Sequence, residues 1–313
     1  MTMTLKNSLK RAVLDGIYGT RVLVWGLSSR RQAANPRELF EGISDRFWKW
    51  LISRGAQGRY GLTGIVPGVP IAQMQRTWTG SAGDSTLQEA FDFYRLVKDR
   101  AQAHGRAIDR DTRVLDFGCG WGRIIRFFLR DVDQWNLHGA DCYGEALTAA
   151  RRGSRWGHFT LIDPRPPAAF RSESFDVIYL YSVFSHLSEV VHLEWLREFQ
   201  RLLRPGGLLV ATTRKRHFIQ ECAALRARSA IPSFASGAAA SFPETEDALR
   251  QYDAGGFCHS PTGGGGVLEA SFYGETCIPK AYVQREWGKL FRVLDFLDTD
   301  PRCPQAVAVI QKA

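Results

Sequence analysis

The sequence predicts an α/β protein built on a doubly wound, mostly parallel β-sheet, with an N-terminal helical extension and an inserted lid. Three observations support this prediction. From Gly105 onward, short apolar strands alternate with amphipathic helices, which is typical of a parallel sheet covered on both faces. Residues 1–80 are instead helical in pattern, basic and rich in tryptophan. Residues 221–266 are enriched in Ala, Ser, Gly and Pro. We therefore expect an extension at 1–80 and a main domain at 81–313, with the lid at about 221–266.

The periodicity of apolar residues places the individual elements. The predicted strands are 114–117, 135–140, 175–181, 208–213, 291–297 and 306–311. The predicted helices of the main domain are 124–129, 145–152, 192–203 and 279–290, preceded by a helix that begins at about Asp84.

The extension contains a clear helix start at Asn35, where Pro36 fits the first helical position and Glu38 completes a capping box. One amphipathic helix is expected from there, with Leu39, Phe40, Ile43, Phe47 and Leu51 on its apolar face. Further upstream, apolar residues recur at about helical spacing between Lys6, Lys10 and Arg11; they are Leu5, Leu9, Val13 and Ile17. Packing on the main domain or another subunit is the first interpretation of this segment, and contact with a membrane surface is the alternative.

Composition excludes several classes of protein. A chain of 313 residues with 44% hydrophobic residues buries a full-sized core. The net charge of +9 is spread along the chain without a nucleic-acid motif, so we expect no nucleic-acid partner. The six cysteines and seven histidines lack metal-ligand spacing, so no metal site is expected and the thiols are expected to be reduced. Without a run of roughly 20 apolar residues or a signal peptide, a cytoplasmic protein is expected.

The first strand of the alternating region ends in a glycine-rich turn, Gly118 to Gly122, with glycine at every second position. Such a turn lets the backbone approach a ligand closely, and its amides can receive a carboxylate or phosphate. A dinucleotide site would require glycine at position 123, where the chain has Arg123. Asp116 stands two residues before the first glycine, and Asp141 follows the next strand, where a carboxylate can accept hydrogen bonds from ribose hydroxyls. These features favour a nucleoside ligand that is not a dinucleotide.

Together with later motifs, this turn resembles the class I S-adenosylmethionine-dependent methyltransferases, with a signature of the methyltransferase domain 11/25 type. The resemblance covers roughly Trp78 to the C-terminus; its later motifs are 174–178, 181–187, 201–208, 273–275, 282–287 and 293–296. It implies a Rossmann-like sheet of seven strands and S-adenosyl-L-methionine as cofactor, with S-adenosyl-L-homocysteine as product. It also implies methyl transfer to oxygen or nitrogen of a small-molecule acceptor such as a sugar, lipid or secondary metabolite.

The resemblance implies a set of cofactor-binding residues: Asp116, Phe117, Gly118, Cys119, Gly120, Gly122, Arg123, Asp141, Cys142, Asp163, Tyr181 and Ser182. By this resemblance, Asp116 and the three glycines fix the methionine end of the cofactor. Asp141 holds the ribose, and Cys142 and Asp163 lie against the adenine. The carbonyl of Tyr181, with Ser182 beside it, meets the methionine ammonium.

A general base is needed only if the acceptor must lose a proton as it attacks. His186, just past the fourth strand, is the candidate catalytic residue, and a packing role under the pocket is the alternative. His259 is a second candidate, expected on an exposed loop. Trp78, Phe257 and Tyr273 are candidate walls of the acceptor site. The arginines at 123, 126 and 130 recur along one helix face, which we expect to be mostly solvated.

Two other functions stay open at this point. A nicotinamide-dependent oxidoreductase uses the same kind of sheet, although Arg123 argues against it. A methyltransferase-like binding or scaffold protein without catalysis would keep the same cofactor residues. A homo-oligomer is compatible with either.

Overall fold

A seven-stranded sheet organises the computed structural model, which describes residues 16, 18 and 19, 35–58, 64–231 and 235–313. Its strands are β1 (Val114–Phe117), β2 (Leu137–Asp141), β3 (His158–Leu161), β4 (Phe175–Leu180), β5 (Leu203–Thr213), β8 (Arg292–Leu297) and β9 (Ala306–Gln311). A separate pair is formed by β6 (Cys258–Ser260) and β7 (Glu275–Cys277).

The strand order of the sheet is β3-β2-β1-β4-β5-β9-β8. Strands β1 to β5 pair in parallel, while β9 is antiparallel to both of its neighbours. The chain leaves β1 towards β2 and β3 and later returns to the other side of β1, so the order reverses between β1 and β4. A crevice forms at such a reversal, outside the carboxyl ends of the strands, and ligands bind there. The predicted doubly wound, mostly parallel sheet is confirmed.

Helices cover both faces of this sheet. Those described are α1 (Pro36–Phe40), α2 (Asp45–Gly55), α3 (Ala72–Thr79), α4 (Asp84–Ala103), α5 (Gly144–Gly153), α6 (Glu189–Leu202), α7 (Arg216–Arg226), α8 (Ser236–Ala240), α9 (Thr245–Asp253) and α10 (Lys280–Glu286). Short 3-10 helices span Ile125–Arg130, Gln134–Asn136 and Trp287–Lys289.

Two apolar layers lie on opposite faces of the sheet because successive side chains of a strand alternate in direction. On β1, Val114 packs into one layer and Leu115 into the other. Strand β4 divides in the same way between Val177 and Ile178. No described helix is long and apolar enough to cross a membrane.

The expected single helix after Asn35 is in fact two helices, α1 and α2. The side chain of Asn35 caps α1 by accepting a hydrogen bond from the Arg37 amide at 3.2 Å. Gly42 then adopts a left-handed conformation with φ of 75°, which ends the helical path. A second cap follows, because Ser44 Oγ accepts from the Phe47 amide at 3.4 Å. The predicted segment from Leu5 to Ile17 lies outside the described residues, except for Gly16.

The expected solvated arginine face is wrong. Arg123, Arg126 and Arg130 are between 2% and 8% exposed. The segment after the glycine turn is a 3-10 helix, Ile125–Arg130, and it is covered by α1, α2 and α4. Arg130 donates to the carbonyl of Ile43 at 3.1 Å and to the carboxylate of Asp45 at 2.7 Å. Arg130 therefore connects the N-terminal helices to this segment.

The composition of residues 221–266 indicated an insertion outside the core, yet the structure shows a small apolar cluster there. Helices α7 and α9 pack with β6 and β7 around Phe218, Ile219, Cys222, Phe242, Ala248, Leu249, Cys258 and Cys277. This cluster is distinct from the two layers that cover the sheet. The segment thus has apolar packing of its own.

Candidate active site

A cavity of about 680 Å³ opens at the carboxyl ends of β1, β2, β4 and β5. Its volume is in the range of small-molecule and cofactor sites. One end is formed by the glycine turn and the segments after β2 and β4. The other end is formed by α3 and by residues of 235–275. It therefore joins the predicted cofactor site to the region expected to receive the acceptor.

The glycine turn has left-handed residues, and one of them is also closely approached by a neighbouring side chain. Gly118 has a φ of 73°, and a Cβ there would collide with Cγ2 of Val183. Gly120 has a φ of 53°. Both positions therefore favour glycine.

We expected the amides of this turn to receive a ligand carboxylate or phosphate, and for most of them this is wrong. The amides of Gly118 and Cys119 both donate to the carbonyl of Ala140, at 2.8 and 3.1 Å. Gly120 donates to Asp141 Oδ2 at 2.8 Å, and Gly122 donates to the carbonyl of Cys119. These four amides serve to fold the turn.

Asp116 is the most informative residue at this end of the cavity. Its side chain is 2% exposed, and its Oδ2 has no hydrogen-bond partner among the described residues. Burial raises the pKa of this carboxyl to about 7, although the Tyr179 hydroxyl and the Ile125 amide oppose the rise. A buried acceptor without a partner is costly unless a ligand completes it. The ammonium of an amino-acid-like group fits this position.

Asp141 is already engaged by the protein. Its Oδ2 accepts from the amide of Gly120 and its Oδ1 from the amide of Tyr143, both at 2.8 Å. Burial raises its pKa, and these amides oppose the rise. A carboxylate oxygen has a second lone pair, so Asp141 can hold the turn and still accept from two hydroxyls.

The side of the cavity that the resemblance assigns to adenine is open as well as apolar. Cys142 is half-buried, and burial raises the pKa of its thiol to about 12, so it packs as a neutral apolar group. Asp163 lies at the exposed rim of the cavity. Ile162 and Tyr143, which the sequence analysis did not single out, also line this side.

The turn after β4 is strained at Ser182, which has a φ of 60°. The Ser182 amide donates to Thr212 Oγ1 at 2.7 Å, and its hydroxyl accepts from Gln305 Nε2 at 2.9 Å. Strand β5 and the loop before β9 therefore hold this turn in place. Gln305 Oε1 is buried without a described partner and lies at the cavity.

Arg123 connects the turn to α4. Its Nη1 lies 2.6 Å from Glu89 Oε1, and its guanidinium sits 4.9 Å from the ring centre of Tyr181. The side chain at position 123 is therefore fixed by neighbours on two elements.

All the predicted cofactor residues line the cavity except Gly122. The carbonyl of Gly122 instead accepts from Arg126 Nε at 2.8 Å, on the far side of the turn. Its role is to shape the backbone there.

His186 also lines the cavity. Its Nδ1 lies 2.8 Å from the carbonyl of Gly274, so this nitrogen carries the proton and donates. Its Nε2 is then an acceptor, 3.5 Å from Ser182 Oγ, and its ring stacks on Tyr273 with centres 5.0 Å apart. Burial lowers the pKa of His186, although Glu275 opposes this, so the ring is neutral at pH 7.

The second histidine is placed differently from expectation. His259 lies within β6, half-buried, and its Nδ1 is 2.7 Å from Thr276 Oγ1; it does not line the cavity. Of the expected walls, Trp78 and Tyr273 line the cavity, whereas Phe257 packs in the apolar layer with Tyr282.

Several charged or polar lining residues were missed by sequence reasoning: Arg76, Glu89, Arg214, Glu275 and Gln305. Arg214 directly follows β5, so the rule that ligands bind at the carboxyl ends of strands could have found it. The others reach the cavity from helices and loops whose tertiary position has no local signal.

Comparison with known proteins adds a family match. Residues 115–209 match the model of a methyltransferase domain. Over 112 residues the chain is 34% identical to malonyl-[acyl-carrier protein] O-methyltransferase of Enterobacter lignolyticus (strain SCF1), covering 33% of this chain and 39% of that protein. Over 134 residues it is 28% identical to ubiquinone biosynthesis O-methyltransferase of Caulobacter sp. (strain K31), covering 39% and 48%. The chain thus spans less than half the length of these relatives.

Among solved structures, an S-adenosylmethionine-dependent methyltransferase from Clostridium acetobutylicum ATCC 824 is 11% identical, with a TM-score of 0.49 and coverage of 77% of this chain and 96% of that one.

The sheet order and the cavity at its switch point define the class I methyltransferase fold. Residues 115–209, which match the model of a methyltransferase domain, include most of strand β1 and all of β2, β3 and β4 of this sheet. S-adenosylmethionine is the cofactor of this domain family. The buried, unpartnered Oδ2 of Asp116 and the narrow approach at Gly118 are a fit for its methionine end.

Proposed function

We propose that this chain is an active methyltransferase that moves a methyl group from S-adenosylmethionine to the hydroxyl oxygen of a small-molecule acceptor. The observation that carries the proposal is the neutral His186, whose Nε2 accepts hydrogen bonds at the cavity beside Ser182. The two curated relatives are named O-methyltransferases, which supports oxygen over nitrogen.

In this proposal the cofactor supplies a methyl group already activated for in-line displacement. Asp116 accepts from the ammonium of its methionine end, and Asp141 accepts from the ribose hydroxyls while it holds the amide of Gly120. Asp163 at the rim and Cys142 border the adenine. The protein's main task is orientation, because displacement requires the reacting atoms to be aligned in a site that excludes water.

His186 takes the proton of the acceptor hydroxyl at Nε2. Its Nδ1–H is held by the carbonyl of Gly274, which fixes both the tautomer and the ring orientation. Glu275 Oε2 lies 3.7 Å from Nδ1 and stabilises the imidazolium that forms after proton transfer. The stacked ring of Tyr273 covers one face of the imidazole and keeps water from it.

We further propose the division expected from the sequence: residues 1–80 as an extension and 81–313 as the methyltransferase domain, with a lid at about 221–266 that covers the acceptor. We also propose a cytoplasmic location for the protein. Contact of its N-terminal segment with a membrane surface and assembly into a homo-oligomer are two further proposals.

The test combines binding with turnover. S-adenosylhomocysteine should bind by titration calorimetry, and methyl-labelled S-adenosylmethionine should label hydroxylated acceptors from a small-molecule library. His186→Asn should reduce kcat about 100-fold or more with little change in cofactor affinity, which is the size expected for a general base. The wild-type kcat should fall as pH decreases through a pKa below 6.5, because protonated His186 cannot accept the proton.

Binding of S-adenosylhomocysteine without transfer to any hydroxyl would favour the scaffold alternative. Binding of NAD without S-adenosylhomocysteine would instead favour the oxidoreductase.

A further inference from the structure

Arg214 is the first residue after β5, and it lies at the acceptor end of the cavity. The central carbon of its guanidinium lies 4.1 Å from the ring centre of Phe218 on α7, so the group packs against this ring. The side chain is 25% exposed and lines the cavity.

The donors of Arg214 are incompletely used. Its Nε is buried and has no hydrogen-bond partner among the described residues. Its one ion pair is with Glu275, with Nη2 3.4 Å from Oε2, which is long for a charge-assisted hydrogen bond. Glu275 is also shared with His186, 3.7 Å away. A single carboxylate thus serves two partners, and Arg214 keeps free donor capacity.

The other charged residues that line this end of the cavity also have a surplus of positive charge. Arg76 on α3 lines the cavity and has no ion pair among those described. Arg123 is matched by Glu89 at 2.6 Å. Apart from the aspartates at 116, 141 and 163, which belong to the proposed cofactor end, the lining therefore contains more arginines than acids. An anionic acceptor is favoured by this balance.

We propose that the acceptor carries, in addition to the hydroxyl that His186 deprotonates, a carboxylate that Arg214 binds through its unused donors. The inference rests on the proposed function, since it names the substrate class of that site. Arginine suits a carboxylate because its planar fork matches two oxygens at once. Trp78, Phe272 and Tyr273 line the same space, so an aromatic or otherwise apolar frame between the two polar groups fits the cavity.

The probes that test this are 4-hydroxybenzoate and its uncharged analogue 4-hydroxybenzamide, titrated with and without S-adenosylhomocysteine. Wild-type protein should bind the acid at least tenfold more tightly than the amide. Arg214→Gln should abolish this preference and leave the affinity for S-adenosylhomocysteine within about twofold. The matched control is Arg216→Gln, two residues further on, where the arginine pairs with Asp253 outside the cavity; it should keep the preference.

A second variant, Glu275→Gln, tests the proposal independently in case Arg214→Gln does not fold. Glu275→Gln removes the carboxylate that competes for Arg214, so it should tighten binding of 4-hydroxybenzoate several-fold without affecting 4-hydroxybenzamide.

Equal affinity of wild-type protein for acid and amide, including no binding of either, would overturn the proposal. A preference that survives in Arg214→Gln, or weaker acid binding in Glu275→Gln, would overturn it too. Failure to bind S-adenosylhomocysteine would instead remove the proposed function, while the titrations without it still decide whether Arg214 selects a carboxylate.

Discussion

At the scale of single residues, the two cofactor aspartates differ in how the protein treats them. Asp116 is buried with an oxygen that lacks a described partner, whereas both oxygens of Asp141 accept backbone amides. One oxygen of Asp116 therefore stays available for a ligand, whereas Asp141 also maintains the shape of the turn. The two positions should respond differently to substitution.

Asp116→Asn should change how stability depends on pH. The pKa of Asp116 is raised to about 7 in the folded state, above its unfolded value. The folded state then binds more protons than the unfolded state between about pH 4 and 7, so the wild type loses stability as pH rises through this window. The variant lacks this loss. Between pH 4 and 8, its free energy of unfolding should therefore rise by about 1 to 4 kcal/mol relative to that of the wild type. Urea unfolding of the ligand-free protein at several pH values measures the difference.

A control of opposite sign is available at Asp109, where the Thr112 hydroxyl lowers the pKa. The free energy of unfolding of Asp109→Asn should fall relative to that of the wild type as pH rises through the range below the unfolded pKa of Asp109. A constant difference between wild type and Asp116→Asn across the whole range would contradict the assignment.

Asp141→Asn should weaken binding of S-adenosylhomocysteine by about 1 to 3 kcal/mol, because the amide replaces a charged acceptor of ribose hydroxyls. Adenosine, which has the ribose but no methionine end, should lose a similar amount. Titration calorimetry with both ligands checks this. Unchanged affinity for adenosine would show that Asp141 only shapes the turn.

At the scale of elements, six strands of the sheet and most of its helices were predictable because their apolar periodicity is local. Strand β3 was missed, since its residues are exposed or half-buried and show no apolar run. The break between α1 and α2 was not, since the pattern of apolar residues continues across Gly42 while the backbone does not. The buried arginines were also missed, because a regular spacing of charges on a helix normally marks a solvated face. Their burial is due to α1, α2 and α4, which cover this segment, and to residues 67 and 68, which contact Arg126.

The candidate site follows the same logic. Residues at the ends of β1, β2 and β4 were predictable, because motif and strand end coincide there. Arg76 and Gln305 were not, since they reach the cavity from α3 and from the loop before β9.

Arg126 joins two segments by hydrogen bonds to four carbonyls. It donates to Pro67 and Gly68 on one side, and to Trp121 and Gly122 in the turn on the other. Burial lowers its pKa to about 9, and no opposing group raises it. Arg126 therefore contributes to the geometry of the glycine turn, together with the turn's own amides and Asp141.

Arg126→Lys should lower the free energy of unfolding by about 2 to 4 kcal/mol, because an ammonium cannot reach acceptors on both segments and leaves buried carbonyls unpaired. Binding of S-adenosylhomocysteine should weaken as well. Arg155→Lys is the matched control, since Arg155 is exposed over Trp156; it should stay within about 0.5 kcal/mol of the wild type in thermal or urea unfolding. Equal stability of both variants would mean that the four bonds contribute nothing.

At the scale of the whole molecule, the helices of the proposed extension belong to the packing of the sheet. Phe40, Trp48 and Ile52 are fully buried in the same apolar layer as Phe127 and Val177. The indole of Trp48 also donates to the carbonyl of Phe127 at 2.9 Å. The extension therefore stabilises the fold that forms the cofactor turn.

Removing residues 1–70 should abolish cooperative unfolding and cofactor binding, because it exposes the apolar layer beneath α1 and α2. Trp48→Phe is the graded companion variant. It keeps most of the buried ring but leaves the carbonyl of Phe127 without its indole donor, at a cost of about 1 to 3 kcal/mol. Circular dichroism and calorimetry measure both. A truncated chain that unfolds cooperatively and still binds S-adenosylhomocysteine would show an independent domain.

The separate apolar cluster of α7, α9, β6 and β7 has a consequence for divergence among related chains. Its side chains pack with one another, whereas the cofactor aspartates stand on strands of the central sheet. Mutations within that cluster, or in Tyr273 and Glu275 nearby, can reshape the acceptor end without disturbing the glycine turn. Related chains that share the same sheet and glycine turn could thus evolve to use different acceptors. The mutations would fall in the cluster of α7, α9, β6 and β7, whose side chains pack mainly with one another.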